Sequence, residues 1–426
     1  MTGMASPTLT TAAFTTSLRW WDEVSQVIPG GCSTLAKTPG RGLPGTTAIC
    51  CVEASGARFV DLDGNSWLDC EMAMGTVCWG HARPEVDEAV VRQLARGTSY
   101  SVPAPLELTL ARRLLDRFGH YEAVRFSKGG ADVVSGAVRI ARAVTGRRYV
   151  VATGYHGWHD WSAYGYYGRQ PAALGIPTGI RDTTRWVPDA TRDAVERVLA
   201  ECGRDCACLV ACPNVWTAPD LAAVLDACRS HGVLVVFDEV TSGVRTGRRA
   251  TAGAYDLWPD LLCLSKGLAN GLPLAALLGS RRLLDHAVAV RFSSAHASEC
   301  LALAAALACE DLLDRAVVWP SWRGRTEAML DRIRGEIVRQ GHGRRLTVEG
   351  TYASFALRDV RVPDFWADPF RAHLIGHLAR DGIYSKGYLV FSDAHTPTEL
   401  DFVEASVVSA IRSWTGSDGD REVGDR

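Results

Sequence analysis

One lysine lies in a stretch of sequence that is otherwise almost wholly apolar. The stretch is LLCLSKGLANGLPLAALLGS, residues 261–280, and the lysine is Lys266. A buried ammonium group is costly unless it is paired or neutral. A desolvated lysine has a lowered pKa, and its amine then becomes a nucleophile toward aldehydes. Lys266 is therefore a candidate for Schiff-base chemistry; the alternative is a lysine whose ammonium reaches the surface.

Two carboxylates end another apolar segment, VLVVFDEV. They belong to Asp238 and Glu239, and Asp238 precedes Lys266 by 28 residues. The segment reads as a buried strand, and a carboxylate at its end needs a cation, a metal ion or a protonated ring nitrogen as its partner. The simpler alternatives are a helix cap or an ion pair with Arg245.

A pair of glycines follows the strand-like residues 124–126. Gly129 and Gly130 are placed to turn the chain into a helix that begins near Ala131 and Asp132. Backbone N–H groups at such a helix N-terminus, reached through glycines, suit a phosphate. The signal is weak by itself, because many strand–helix turns carry two glycines.

Aromatic and imidazole side chains are concentrated in the segment VVATGYHGWHDW, directly after a strand. They are those of Tyr155, His156, Trp158, His159 and Trp161. An aromatic ring at a strand end can stack on a flat heterocycle. Considered alone, a loop that packs on itself is the better interpretation.

These four segments fall at or just beyond the carboxyl ends of predicted strands, where open α/β sheets bind ligands. Together they provide a phosphate cradle, a stacking ring, a carboxylate for a ring nitrogen and a nucleophilic lysine. Those are the parts that pyridoxal 5′-phosphate (PLP) requires. The sequence therefore predicts a PLP site and a small-molecule amine as substrate.

Strand-like and helix-like segments alternate through the middle of the chain. Near-continuous apolar strands in such an alternation predict an α/β fold with a mostly parallel central sheet covered on both faces. The C-terminal third begins with two long helical patterns, and an early hairpin precedes the sheet. We expect a large domain over 71–315 and a smaller α+β domain built from both termini, 1–70 and 316–426.

The composition limits the remaining possibilities. The net charge of the 426 residues is −2, which does not favour a nucleic-acid or anionic-membrane partner. No run of 18 apolar residues predicts a membrane span, and no signal peptide is recognisable at the start. The 13 cysteines are an odd number and scattered, which indicates reduced thiols and a cytoplasmic protein.

The densest cysteine group is CGRDCACLVAC, which holds Cys202, Cys206, Cys208 and Cys212. It lacks a CxxC pair and runs into an apolar strand-like segment. Buried packing is therefore favoured over a metal site, and no metal is expected.

The sequence also resembles the class III PLP-dependent aminotransferases of fold type I, and within them the branch of the glutamate-1-semialdehyde aminomutases. The resemblance covers roughly residues 17–400. The segments that carry it are VIPGG (27–31), DLDGNSWLDC, GHARPEV (80–86), GTSYSVP (97–103), GAVRIARAVTGR, GYHGWHD, FDEVTSGVR, LSKGLANGLPLAALLG and LALAAALA.

The resemblance implies roles for individual residues. Lys266 is the lysine of the Schiff base and the proton shuttle, and Asp238 pairs with the ring nitrogen of PLP. Tyr155 and Val240 lie on the two faces of the ring, and Glu239 and Arg245 form a structural pair. The cofactor-binding set that follows is Gly129, Gly130, Ala131, Tyr155, His156, Asp238, Val240, Lys266 and Ser294. Ser294 is expected to reach the phosphate of a partner subunit, so the resemblance implies a homodimer.

Several positions depart from the family pattern at the cofactor. Gly129-Gly130-Ala131 stands where the family usually has Ser-Gly-Thr, so two hydroxyl donors are missing. Ala295 matches the usual threonine of the partner subunit, which Ser294 can replace. Cys212-Pro213 replaces Glu-Pro before the strand that carries Asp238. Lys128 replaces a frequent asparagine.

Further departures concern the substrate. Lys37 stands where the aminomutase has a carboxylate-binding arginine, and GIYSKGYLVFSDAHT lacks the arginine of many class III members. Lysine does not reproduce the bidentate fork of arginine, so a simple α-amino acid is disfavoured. Five aromatic residues instead suit an amino sugar of the aminoglycoside type, in an antibiotic pathway: Trp158, Trp161, Tyr164, Tyr166 and Tyr167.

Three functional classes remain open at this point. The leading one is an aminotransferase. The second is a PLP enzyme with another outcome on the same substrate class, such as epimerisation, a 1,2-amino shift or elimination, because one carbanion feeds all of these reactions. The third is a non-catalytic protein of the same fold, which the presence of both Lys266 and Asp238 disfavours.

Overall fold

The computed structural model describes residues 14–38, 43, 45–166, 174–188, 190–315, 318–351, 354–362 and 364–415. The chain divides into two compact units. The first comprises 1–75, 79–83 and 320–426, and the second comprises 76–78 and 84–319. The predicted boundaries at 70 and 315 lie a few residues from these limits, and as domain boundaries they stay a prediction.

The helices and strands alternate through the second unit, as the apolar patterns of the sequence indicate. The α-helices are α1 (Thr15–Val27), α2 (Met72–Gly75), α3 (Pro84–Leu94), α4 (Pro105–Phe118), α5 (Gly130–Thr145), α6 (Asp160–Tyr166), α7 (Thr178–Arg181), α8 (Arg192–Cys202), α9 (Ala218–Ser230), α10 (Ala250–Tyr255), α11 (Arg281–Leu284), α12 (His286–Ala289), α13 (Cys300–Arg315), α14 (Val318–Arg339), α15 (Pro369–Arg380) and α16 (Pro397–Ser413). The strands are β1 (Cys51–Ser55), β2 (Arg58–Asp61), β3 (Ser66–Asp69), β4 (Ala123–Ser127), β5 (Tyr149–Thr153), β6 (Thr184–Trp186), β7 (Cys206–Ala211), β8 (Leu234–Glu239), β9 (Leu261–Leu264), β10 (Ala275–Gly279), β11 (Leu346–Thr351), β12 (Ser354–Asp359), β13 (Ile383–Tyr384) and β14 (Tyr388–Val390).

The second unit is built around a seven-stranded sheet in the order β4-β10-β9-β8-β7-β5-β6. Strands β6, β5, β7, β8 and β9 run parallel, whereas β10 is antiparallel to both of its neighbours. The strands β7, β9 and β10 are buried along their whole length, as a sheet covered on both faces requires. The predicted α/β fold of type I, with a mostly parallel sheet, is therefore confirmed.

Helix α5 covers one face of this sheet and also forms one wall of the candidate site. Its buried residues, among them Val134, Val138 and Ala141, pack against strand residues such as Val150 and Val210. These helix residues recur at intervals of three and four, which places them on one side of a helix. The packing fixes the N-terminus of α5 at the carboxyl edge of the sheet.

The first unit contains two smaller sheets. One has the order β1-β2-β3-β13, and the other has the order β11-β12-β14. The predicted hairpin around Asp63-Gly64-Asn65 is the antiparallel pair β2–β3. Its turn is held by the carboxylate of Asp61, which accepts hydrogen bonds from the Asn65 amide at 2.8 Å and from Trp67 Nε1 at 2.9 Å.

Strand β10 is not predictable from its own residues. Its residues follow Gly271 and Pro273, and a short apolar run has the same pattern in a buried strand and in a buried helix. Pairing with β4 and β9 decides between them. Among the described residues, we find no helix that combines the length and the apolar character needed to cross a bilayer.

Candidate active site

Strand pairing brings Asp238 and Lys266 to one edge of the sheet. Strand β8 ends at Glu239 and β9 ends at Leu264, and the two are parallel with Asp238 opposite Cys263. Lys266 follows β9 directly and begins a 3₁₀ turn with φ of 48°. A non-glycine residue in this left-handed region carries backbone strain, which recurs at functional sites. The Ser265 hydroxyl anchors the turn by donating to Leu274 O at 2.7 Å.

The amine of Lys266 has a hydroxyl partner. Nζ donates a hydrogen bond to Thr241 Oγ1 at 2.8 Å. Burial lowers the pKa of Lys266; the Asp238 carboxylate opposes this effect and the Arg245 guanidinium reinforces it. The apolar surroundings seen in the sequence therefore favour the neutral, nucleophilic amine. Thr241 was not among the predicted site residues, although it stands directly after the strand-end group Asp238-Glu239-Val240.

Asp238 is buried, with 7% of its surface exposed, and a histidine supports its carboxylate. His156 Nδ1 lies 2.8 Å from Asp238 Oδ2, and the Val240 amide donates to Oδ1 at 3.1 Å. The His156 ring is 2% exposed and lies nearly parallel to the Trp161 ring at a centroid distance of 6.2 Å. His156 thus orients the Asp238 carboxylate from within the protein. The sequence placed His156 only in an aromatic loop, so the structure defines its position more closely.

Cys212 is a neighbour of this pair that the sequence analysis did not include in the site. A ligand atom each of His156, Cys212 and Asp238 lies within 4.8 Å of the others. Burial raises the pKa of the Cys212 thiol, and the Asp238 carboxylate adds to the effect, so the thiol is protonated and uncharged. Its place was readable from the sequence, because Cys212 directly follows β7, the parallel neighbour of β8.

The N-terminus of α5 forms the expected cradle. The first backbone N–H groups of a helix have no acceptor within it, and here they belong to Gly130 and Ala131. The Asp132 carboxylate closes the turn by accepting a hydrogen bond from the Gly129 amide at 2.8 Å. A Cβ atom on Gly130 would lie 2.6 Å from Val240 Cγ1, so glycine is required for this close approach.

The aromatic loop is fastened to the same helix. Trp161 Nε1 donates to Ser135 Oγ at 2.8 Å, and this hydroxyl lies 2.7 Å from His159 Nδ1. Gly157 packs so close to Ala131 that a Cβ there would lie 2.5 Å from the alanine methyl. The loop is thereby held beside the helix N-terminus.

The aromatic side chains of this loop differ in accessibility. Tyr155 is 44% exposed and Trp158 is 74% exposed, whereas Trp161 is buried and packs inside the protein. The expectation that the Trp161 ring faces a ligand is therefore wrong. Tyr167 lies outside the described residues, as do the side chains of Tyr164 and Tyr166.

Glu239 and Arg245 are both buried. The Glu239 carboxylate accepts hydrogen bonds from the Thr251 and Ala252 amides, each at 2.8 Å, at the start of α10. Arg245 donates to Val77 O at 3.2 Å. Glu239 therefore acts as a helix cap, one of the alternatives considered above, and the direct pair with Arg245 stays a prediction.

Ser294 is exposed and belongs to the segment 291–299. This segment is tied to the end of β4: Arg125 donates to Phe292 O at 3.1 Å, and Lys128 Nζ pairs with Glu299 Oε2 at 3.0 Å. Lys128 is thus the ion-pair partner of Glu299. The role of Ser294 at the phosphate of a partner subunit stays a prediction.

The residues of this site fit PLP. A glycine cradle with free helix amides is suited to the phosphate, and Lys266 is suited to the aldehyde. A carboxylate oriented by His156 is suited to the ring nitrogen. A Cβ at Gly130 would collide with the Val240 side chain, so this close packing of the helix start beside Asp238 depends on glycine.

Comparison with known proteins agrees with this arrangement. The family model described as "Aminotransferase class-III" matches residues 43–164 and 214–338. The chain is 28% identical over 417 residues to a glutamate-1-semialdehyde 2,1-aminomutase of Desulforapulum autotrophicum, covering 91% of this chain and 96% of that protein. It is 33% identical over 333 residues to a 2′-deamino-2′-hydroxyneamine transaminase of Streptomyces kanamyceticus, covering 76% and 81%.

The fold is shared with solved structures. The FumI protein of Sphingopyxis sp. MTA144, solved with PLP, superposes with a TM-score of 0.81 at 22% identity, covering 92% of this chain and 95% of that one. The family uses PLP as its cofactor, as the sequence predicted. The family match and the fold lead to one conclusion: this chain belongs to the class III PLP-dependent aminotransferases.

Proposed function

We propose that this protein is a PLP-dependent aminotransferase whose amine substrate is an amino sugar of the aminoglycoside type, in an antibiotic pathway. Membership of the class III family supports the reaction class. The relative from Streptomyces kanamyceticus, whose name gives an aminoglycoside substrate, supports the substrate class.

Each residue of the site has a defined task in this proposal. PLP, when bound, supplies an aldehyde for the substrate amine and an electron-withdrawing ring. Lys266 holds the cofactor and afterwards moves protons through Nζ, for which the lowered pKa of its amine is favourable. Asp238 holds a proton on the ring nitrogen, and His156 keeps the carboxylate in place at 2.8 Å. Gly129, Gly130 and Ala131 bind the phosphate through backbone amides.

The observation that carries the substrate class concerns the C-terminal stretch that follows α15. Its one lysine, Lys386, is 6% exposed, and Nζ donates to Ala36 O at 2.8 Å and to Thr38 O at 3.3 Å. This ammonium is therefore engaged by backbone carbonyls inside the first unit. Since the stretch 382–396 contains no arginine, it offers no guanidinium fork for a substrate carboxylate.

We also propose a homodimer, in which Ser294 reaches the phosphate of the partner subunit. The exposure of Ser294, in a segment anchored near the phosphate turn, supports this arrangement. Sedimentation of the PLP-loaded protein as a monomer with tight PLP binding would contradict it.

The deciding experiment offers the loaded enzyme two panels of amines, amino sugars and ordinary amino acids. Stoichiometric conversion of the cofactor to its pyridoxamine form, read by absorbance, together with the deaminated sugar, read by mass, is expected for the amino sugars only. Lys266→Ala is the control and is expected to abolish turnover. Turnover of amino acids without any of amino sugars would refute the substrate class.

A second candidate is a PLP enzyme that shifts, epimerises or eliminates on the same substrate class. The specific observation in its favour is the relative named as an aminomutase, which matches 91% of this chain. The product mass in the same experiment separates the two: an isomerase leaves the mass of the substrate unchanged and a lyase product lacks the eliminated group, whereas an aminotransferase yields the deaminated sugar.

A further inference from the structure

A hydroxyl group lies beside the nitrogen of Lys266. Lys266 Nζ donates a hydrogen bond to Thr241 Oγ1 at 2.8 Å, and the two residues are 25 positions apart in the chain. The distance is typical of a well-formed N–H···O hydrogen bond. Since the ammonium or amine of a lysine sits at the end of a flexible stem, a contact at its tip decides where the nitrogen lies.

The backbone on both sides of Thr241 is fixed by hydrogen bonds to the end of β8. The Val240 amide donates to Asp238 Oδ1 at 3.1 Å, and the Gly243 amide donates to Glu239 O at 2.8 Å. A Cβ atom on Gly243 would lie 2.6 Å from that same carbonyl oxygen, so the turn closes only around glycine. Threonine is also branched at Cβ, which restricts its χ1 rotation. The Thr241 hydroxyl is therefore held by rigid surroundings.

The next residue also carries a hydroxyl, but its hydrogen bond lies elsewhere. Ser242 is 3% exposed, and its Oγ donates to Glu239 Oε2 at 2.9 Å inside the protein. Thr241, in contrast, is exposed, and its hydroxyl accepts from Lys266 Nζ. The two hydroxyls thus have separate partners, and a change of side chain at Thr241 leaves the hydrogen bond between Ser242 and Glu239 intact.

The direction of the hydrogen bond matters for the reactivity of the amine. A neutral amine has two N–H bonds and one lone pair, and burial favours this neutral form of Lys266. When one N–H bond points at Thr241 Oγ1, the lone pair points in another direction, because the bonds and the lone pair of the nitrogen are arranged tetrahedrally. The lone pair is the part that attacks an aldehyde and takes up a proton. The hydroxyl therefore holds the amine without covering its reactive side.

We propose that Thr241 is a positioning residue for Lys266, and that its hydroxyl orients the lone pair of Nζ toward the aldehyde carbon of PLP. In the step concerned, Nζ forms a double bond to this carbon, the C=O bond breaks, and the oxygen leaves as water with the two protons of the amine. Holding a nucleophile in its reactive orientation accelerates such a step. The inference rests on the proposed role of Lys266 in holding the cofactor, and it is independent of the amine substrate.

The test measures two properties of the full-length protein after its PLP has been removed. The first is the rate at which added PLP bonds to Lys266, followed by absorbance at saturating PLP. The second is the affinity for pyridoxamine 5′-phosphate, which has an amine in place of the aldehyde and so cannot bond to the lysine. For Thr241→Val, we expect the bonding rate to fall by about tenfold, the effect of losing one hydrogen bond, and the affinity to stay unchanged.

Two further variants serve as controls. Thr241→Ser retains the hydroxyl and is expected to keep the wild-type bonding rate. Thr109→Val makes the same exchange of a hydroxyl for a methyl group on α4, where Thr109 is exposed and its Oγ1 donates to Pro105 O at 3.1 Å within the helix. This variant is expected to change neither property. If valine at position 241 prevents folding, Thr241→Ala removes the same hydroxyl and decides in the same way.

The proposal is overturned by any of three results. They are a wild-type bonding rate in Thr241→Val, a parallel fall of the bonding rate and of the affinity for pyridoxamine 5′-phosphate, and a rate in Thr241→Ser as low as that of the valine variant. Failure of the proposed function gives a different result, because wild-type protein would then form no bond between PLP and Lys266. That result would refute the role of Lys266, and the inference about Thr241 with it.

Discussion

The substitution Gly130→Ala, which adds one methyl group, should test whether the start of α5 must stay in place for PLP binding. An added Cβ would lie 2.6 Å from Val240 Cγ1, 2.8 Å from Cγ2 and 3.3 Å from Cβ. Ordinary carbon–carbon contacts are about 3.5–4.0 Å, so the valine or the start of α5 must move by about 1 Å. The backbone of Gly130 is that of an ordinary helix residue, and alanine fits it. The effect of Gly130→Ala is therefore steric.

Overpacking of this kind costs about 1–3 kcal/mol. If the helix start moves, its amides lose their alignment with the phosphate, and PLP binding weakens by about tenfold or more, since about 1.4 kcal/mol is a factor of ten. Denaturant unfolding of the PLP-free protein and a PLP titration measure the two effects separately. Val240→Ala removes both clashing methyl groups, so the double variant should recover most of the lost stability of the PLP-free protein.

Gly179→Ala is the matched control, because Gly179 lies in α7 and has no heavy atom within 4 Å of its would-be Cβ. It should leave stability and PLP affinity unchanged. The reasoning is refuted if Gly130→Ala behaves like this control, or if Val240→Ala recovers no stability in the double variant.

Three further predictions concern buried charges. Arg117 Nη1 lies 2.5 Å from Glu310 Oε1, and both side chains are buried. Because Arg117→Met leaves the Glu310 carboxylate buried without its partner, it should destabilise the protein by about 3–5 kcal/mol in denaturant unfolding, and adding Glu310→Gln should recover part of the lost stability. Full stability of the single variant would contradict this prediction. Hydrogen bonds from its two arginine partners and a glutamine lower the pKa of Glu336 from 4.5 to about 2. This carboxylate therefore stabilises the folded protein above pH 4.5, and the stabilisation is lost as the pH falls toward 2. Glu336→Gln should flatten the pH dependence of the unfolding free energy between pH 2 and 4.5. An unchanged pH profile would count against the lowered pKa of Glu336. His156→Phe keeps a ring in place but removes the partner of Asp238, and should weaken PLP binding by about tenfold in a titration; wild-type affinity would show that Asp238 needs no support.

Local pattern was sufficient to predict the groups that line the carboxyl edge of the sheet. An apolar strand followed by Asp238, and another followed by Lys266, must bring both side chains to one edge once the strands are parallel. The same holds for Gly129 and Gly130 before α5. These predictions depend only on where each element ends, and the order of residues along the chain contains that information.

Strand β10 and the true place of Trp161 could not be predicted in this way. An apolar run of five residues is compatible with a strand or a helix, and pairing with β4 and β9 decides between them. Trp161 reads as a loop aromatic open to ligand, but a hydrogen bond to Ser135 draws its indole into the protein. In both cases a partner distant in sequence determines the outcome.

The sequence by itself determined the fold class, the cofactor and the strand-end positions of Lys266 and Asp238. The tertiary structure alone decided that His156 supports Asp238 and that Thr241 accepts a hydrogen bond from the Lys266 amine. The physical reason is that the first group depends on hydrophobic periodicity and chain order, which are local. The second depends on strand register and on distances of a few ångströms between separate elements, which exist only after the chain has folded.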